Sequence, residues 1–198
     1  MPGEPLYLPS DQILQRLSRL FLTPAHDRSV YVVYGTYGRL RLFQKRIESE
    51  VARGSFHNEM GKVEYISLAR DLLGRLEVNG TYDIAANLAR HGRIQELRSL
   101  LSRAFRELIT SRIEAPGTLA LVLADFELLY AYDLGANEIS LARQVAINGK
   151  RICLLVPGAM HDGRLWIFDN DRESRREFPD ALVFLNSGWV FALTEGQP

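Results

Sequence analysis

Residues 29–52 place the tightest constraint on how this chain can fold. Ser29-Val30-Tyr31-Val32-Val33-Tyr34 reads as a buried strand, Gly35-Thr36-Tyr37-Gly38 as a glycine turn, and Arg39 to Ala52 as a helix. Leu40, Leu42, Phe43, Ile47 and Val51 supply the apolar stripe of that helix. Strand, glycine turn and helix in succession form the frame in which nucleotide-binding proteins hold phosphates on backbone N–H groups. A working phosphate loop needs four residues between its glycines, then Lys and Ser or Thr. Here two residues separate the glycines, and Arg39-Leu40 stands where Lys and the hydroxyl belong. Without the lysine nothing reaches the β/γ-phosphates, and without the hydroxyl Mg²⁺ loses its protein ligand. The frame survives and its chemistry does not. The pattern therefore points to a binding component rather than an enzyme, with no cofactor.

The rest of the chain alternates strands with helices. Ser10 is placed to cap a helix reaching about Phe21, with Ile13, Leu14, Leu17 and Leu20 on one face, after an extended lead-in of nine residues. Lys62 to Ser67 reads as a second strand, and Leu68 to Leu73 opens a helix. Thr81 to Ile113 is helical throughout, broken near His91-Gly92, after a turn at Asn79-Gly80. Thr118 to Ala124 and Arg151 to Val156 are apolar runs of the kind found in strands covered on both faces. Asn137 to Ile147 predicts a helix closed by Asn148-Gly149, and Pro157-Gly158 reads as the end of the last long strand. Beyond it, Arg164 to Phe168 and Ala181 to Leu193 predict short strands, with turns at 169–171 and 186–188. Together these predict one three-layer α/β domain over residues 1–198. Its sheet is mainly parallel and P-loop-like with a degenerate phosphate loop. A helical insertion occupies 81–115, and an antiparallel C-terminal extension occupies 159–198.

Several residues then stand out as chemistry. Leu121 to Asp125 has the form of a strand ending in a Mg²⁺-holding Asp, but Phe126 takes the place of the water-polarising Glu, which falls one residue later at Glu127. Gly35, Gly38, Arg39, Arg41, Asp125 and Glu127 are therefore the candidates for a vestigial nucleotide site. The plain alternatives are a strand end meeting solvent for Asp125, and an exposed basic first turn for Arg39 and Arg41. His26, His57, His91 and His161 lack Cys or His at ligand spacing, so no metal site is expected. Cys153 lies in an apolar run and reads as a small buried hydrophobe. The balance of 24 basic and 24 acidic residues provides no global field for nucleic acid or a membrane surface. The absence of a long apolar run or a signal-peptide pattern, with one cysteine, predicts a cytoplasmic protein. Trp166, Arg175, Arg176, Trp189 and Phe191 are the candidates for contact with a protein partner.

The order of features from the third strand onward resembles the small accessory proteins of bacteriophage exclusion (BREX) defence systems. The residues that carry the likeness are Leu119 to Ala124, Tyr130-Ala131-Tyr132-Asp133-Leu134 and Leu141-Ala142-Arg143-Gln144. They continue through Cys153 to Gly158, Asp162-Gly163, Leu165-Trp166-Ile167-Phe168 and Arg175-Arg176-Glu177-Phe178. Upstream, Val63 to Leu68 and Asp71-Leu72-Leu73 resemble the second strand and helix start of the B component. Asp125-Phe126-Glu127-Leu128-Leu129 is closer to the F component, a P-loop protein, but Gly35 to Leu42 departs from that family's intact loop and favours the B type. The resemblance implies a non-catalytic adaptor or scaffold in a multi-protein antiviral system, binding a large phosphatase-like partner. Two other readings stay open: a divergent ATPase or nucleotide sensor using Arg39 or Arg41, and a nucleic-acid-binding accessory protein working through a local basic patch.

Overall fold

A computed structural model of the chain describes residues 5–23, 30–146, 150–168, 175–178 and 190–194. The first half runs β1 (Leu6–Leu8), α1 (Ser10–Leu22), β2 (Val30–Gly35), α2 (Tyr37–Ala52), β3 (His57–Asn58) and β4 (Gly61–Ser67). Three helices follow, α3 (Leu68–Val78), α4 (Tyr82–Arg90) and α5 (Ile94–Ile113). Then come β5 (Thr118–Ala124), α6 (Glu127–Ala131), α7 (Gly135–Ala146), β6 (Arg151–His161), β7 (Arg164–Ile167), β8 (Arg176–Glu177) and β9 (Val190–Leu193). The sheet order is β1-β9-β2-β6-β5-β4-β3, with β7 and β8 continuing from β6. Every pairing from β1 across to β4 is parallel, while β3 with β4, β6 with β7 and β7 with β8 are antiparallel.

The apolar runs explain the layering. A parallel strand flanked by helices on both faces needs apolar side chains in both directions. In β5, Ala120, Val122 and Ala124 face the layer of α1 and α2, while Leu121 and Leu123 face the layer of α3 to α7. Neighbouring β2 does the same with Tyr31 and Val33 on one side and Val30, Val32 and Tyr34 on the other. The 20-residue α5 buries Leu97, Leu101, Ala104, Phe105, Leu108, Ile109 and Ile113, a single stripe at helical spacing. The fold is thus a three-layer α/β arrangement with a mostly parallel sheet, and the helical block read as an insertion supplies much of one layer. Among the described residues no helix is long and apolar enough to cross a membrane.

Four local expectations change. The lead-in contains β1, held parallel to β9 by Leu6 opposite Phe191 and Leu8 opposite Leu193. Ser10 is the first helical residue of α1 and makes no cap; Pro9 holds that position, and its carbonyl accepts from the Ile13 N–H at 3.1 Å. The helix after the glycine turn starts at Tyr37, so Gly38 sits in its first turn. Pro157-Gly158 does not end β6. The strand's pairing with β5 stops at Leu154, so Pro157 has no β5 ladder to break, and the strand runs on to His161 in a hairpin with β7. The turns expected at 148–149, 169–171 and 186–188, Ser29, His26 and the part of the Ala181–Leu193 strand before Val190 lie outside the described residues.

Arg151 opens the β6 run with a charge in an apolar setting. It is 4 % exposed, and its guanidinium donates to the carbonyl of Phe21 at 2.6 Å and to that of Thr23. These are carbonyls that the end of α1 leaves without helical partners. Arg151→Met leaves the Phe21 carbonyl buried and unpaired, so it is expected to cost about 2–3 kcal/mol in urea unfolding. A loss under about 0.5 kcal/mol would show that this clamp does not hold α1 to the sheet.

Candidate functional site

The carboxyl ends of the parallel strands form one rim of the molecule. Helix α2 leaves β2 toward one face, whereas the helices after β4 and β5 lie on the other. Ligands of open α/β sheets bind in the crevice that such a change of side creates. The rim here carries Gly35, Ser67, Asp125 and Pro157 at or just past the ends of β2, β4, β5 and β6.

The β4–β5 side of this rim is acidic and internally bonded. Asp125 has φ of 59°, a left-handed turn that Asp tolerates better than most residues and that carries β5 into α6. Its Oδ2 accepts from Ser67 Oγ at 2.6 Å. Ser67 is also the N-cap of α3: its backbone N–H donates to Asp71 Oδ2 at 2.8 Å, and its Oγ lies 3.5 Å from the Arg70 N–H. Arg70 in turn reaches Glu48 on α2 at 3.1 Å. Glu127, on α6, is 6 % exposed; its Oε1 accepts from the hydroxyl of Tyr37 at 2.8 Å, and its Oε2 has no hydrogen-bond partner. Burial pushes the Glu127 carboxyl up, the nearby Asp125 charge adds to this, and the Tyr37 bond opposes it. The Tyr37 phenol is pushed up as well, by burial first and then by its bond to Glu127.

The glycine turn has a packing role. A Cβ on Gly35 would stand 3.0 Å from the Leu193 Cβ, so glycine lets β9 close on β2. A Cβ on Gly38 would meet nothing within 4 Å, so no close backbone approach requires glycine there. Leu40, in the place of the Mg²⁺-binding hydroxyl, is 2 % exposed and belongs to the buried stripe of α2 with Phe43 and Ile47. Arg39 is half-buried and lines a separate cleft on the β9 side, while Arg41 is exposed. The structure thus gathers Gly35, Gly38, Arg39, Asp125 and Glu127 around the start of α2, and leaves Arg41 outside the cleft.

Of the expected partner contacts, Phe191 is a core residue at 1 % exposure, because β9 is an inner strand of the sheet between β1 and β2. Trp166 on β7 is half-buried beneath the Arg175 guanidinium, which sits 4.3 Å from its ring centroid. Arg176 on β8 is exposed, and Trp189 lies outside the described residues. Sequence reasoning missed Tyr37, Ser67 and Asp71. A Ser immediately before an apolar helical run with Asp four residues on was the available signal for the latter two. Cys153 is fully buried, and burial pushes its thiol up, as expected for a packing residue. Among the described residues no group of His, Cys, Asp or Glu is disposed to hold a metal ion. A second opening, apolar and about 330 Å³ in volume, lies between α3, α4, α5 and α6, where Leu73, Tyr82 and Leu128 are partly exposed.

No family model matches this chain, and no curated protein matches it.

The folded-state pKa of Glu127 lies above its unfolded value, so its contribution to stability is complete at acid pH and is lost as pH rises through the raised pKa. Glu127→Gln keeps an acceptor for Tyr37 and removes the ionisation. It is expected to raise the thermal midpoint at pH 8 by about 2–4 °C, and to leave it unchanged near pH 4. A variant equally or less stable at pH 8 would refute the assigned burial cost.

Proposed function

We propose that this chain is a non-catalytic adaptor of a BREX-type antiviral complex, built on a nucleotide-binding frame and docking another protein of the system, such as its phosphatase-like component. The observation that carries the non-catalytic part is the bond from Tyr37 to the buried Glu127 at the start of α2. A phosphate-binding loop needs a cation at that place; here the acidic side chains Asp125 and Glu127 stand there, a setting that disfavours a polyphosphate. Leu40 and Gly35 are occupied with packing, so the substitutions of the loop are built into the core. The defence-system part rests on the ordered series of motifs from Val63 to Phe178. Partly exposed Leu73, Tyr82 and Leu128, and the Trp166–Arg175–Arg176 surface, are of the apolar and Arg-bearing kind that protein partners use.

The purified chain is expected to show no ATP turnover and no shift of its thermal midpoint with Mg·ATP, since a ligand of the native state raises that midpoint by mass action. Turnover abolished by Asp125→Ala would overturn the reading. Tagged protein purified from its native host is expected to bring down a large phosphatase-like protein, and Trp166→Ala with Arg176→Glu to reduce that recovery about tenfold. Recovery without such a partner, or untouched by the double variant, counts against the assignment and its surface respectively.

A further inference from the structure

The chain carries no net charge, so a surface that attracts a polyanion has to be local. The layer of α1 and α2 is such a surface. Each helix spends its apolar stripe on the sheet, with Ile13, Leu17 and Phe21 from α1 and Leu40, Phe43 and Ile47 from α2. On the outer faces the charges are sorted. Every carboxylate of the two helices is already engaged. Asp11 bonds Arg46, which ties the start of α1 to the middle of α2. Glu48 reaches Arg70 on α3 at 3.1 Å, and Glu50 takes Arg53 at 3.5 Å and the Ser55 hydroxyl at 2.6 Å. The cations are left over: Arg16, Arg19, Arg41 and Lys45 are exposed, and their side chains have no hydrogen-bond or ion-pair partner among the described residues.

Helical spacing gathers these four. Arg16 and Arg19 are three residues apart and Arg41 and Lys45 four, so each pair shares one side of its helix, away from the buried stripe. Measured along the helix axes from the Asp11–Arg46 bond, Arg19 lies ~12 Å away and Arg41 ~8 Å. We propose that this face of α1 and α2 docks double-stranded DNA through its phosphate backbone, without reading sequence. A duplex presents a charge about every 1.7 Å of its axis, so a patch ~20 Å long meets on the order of a dozen phosphates. Three of the four cations are arginines, whose planar guanidinium matches a phosphate bidentately. Single strands are held by stacking on aromatics, and Tyr37, the one exposed aromatic of the two helices, is bonded to Glu127 instead. Helices that lie on membranes bury an apolar face in lipid. Here both apolar faces are consumed by the sheet, and Leu42 is the one large aliphatic side chain left exposed. The surface lies on other elements than those of the adaptor reading and does not rest on it.

The test is fluorescence anisotropy of a labelled DNA duplex of about 20 base pairs titrated with the full chain. Saturable, micromolar-range binding at about 50 mM salt is the expected result, falling about a hundredfold by about 200 mM because four phosphate contacts release their counterions. Duplexes of unrelated sequence are expected to bind within about twofold of one another. Arg19→Ala combined with Lys45→Ala is expected to weaken binding about tenfold and to lower the salt slope by about two. Both side chains are exposed, so the thermal midpoint should stay where it is. Arg103→Ala combined with Arg106→Ala removes two exposed cations from α5, in the opposite layer, and is expected to leave binding unchanged. Four outcomes overturn the proposal: no saturable binding, binding indifferent to salt, undiminished binding in the α1–α2 pair, or an equal loss in the α5 pair. Tighter binding to an RNA duplex, to polyglutamate or to phosphatidylcholine vesicles containing phosphatidylserine overturns it too, and names the partner instead.

Discussion

Burial of β5 and β6 on both faces is the constraint that the other elements answer. All but one residue of β5 is buried, and β6 is buried from Arg151 to Pro157. Such strands cannot face water, so each side must be roofed by helices. Helices α1 and α2 roof one side with Ile13, Leu17, Phe21, Leu40, Phe43 and Ile47, and α5 with its neighbours roofs the other. Arg151 marks where this demand meets the chain's polarity. Its charge is admitted to the interior because the unpaired carbonyls ending α1 require a donor, and the same contact fixes that helix to the middle of the sheet.

The long elements were legible because their periodicity is unambiguous. Thr118–Ala124 is bounded as the apolar run predicts, and the break at His91-Gly92 falls between α4 and α5. What was not legible depends on partners distant in sequence. Leu6–Leu8 is a strand only because β9 offers it a ladder, and three residues between prolines carry no period of their own. Pro157-Gly158 looked like a terminator because its effect depends on where β5 stops, which no local pattern records. Phe191, in a short strand, could read as core or as a partner contact near an edge, and the return of the chain between β1 and β2 makes it core. For the site, the clustering of Asp125 and Glu127 with the glycine turn was readable from the strand-end pattern. Tyr37 was not, since its importance comes from a bond across 90 residues.

The start of α2 is where the sheet's open rim meets its most varied side chains. A helix N-terminus stands there at the mouth of a parallel sheet. Side chains divide the space before it. Tyr37 ties the helix to Glu127 on one flank, while Arg39 and Tyr34 line the cleft on the other.

The sheet ends in very short strands. Among the described residues, its flanks are β1, three residues long, and β3, two residues long. Beyond β3 the outer side of β4 carries Glu64, engaged by Lys62 and Arg112. Long flat edges recruit strands from other chains, and short charged ones do not. Flanks so short limit end-to-end polymerisation at high concentration, while among the described residues the part of β4 from Glu64 to Ser67 that β3 does not cover remains the one longer strand edge at that side.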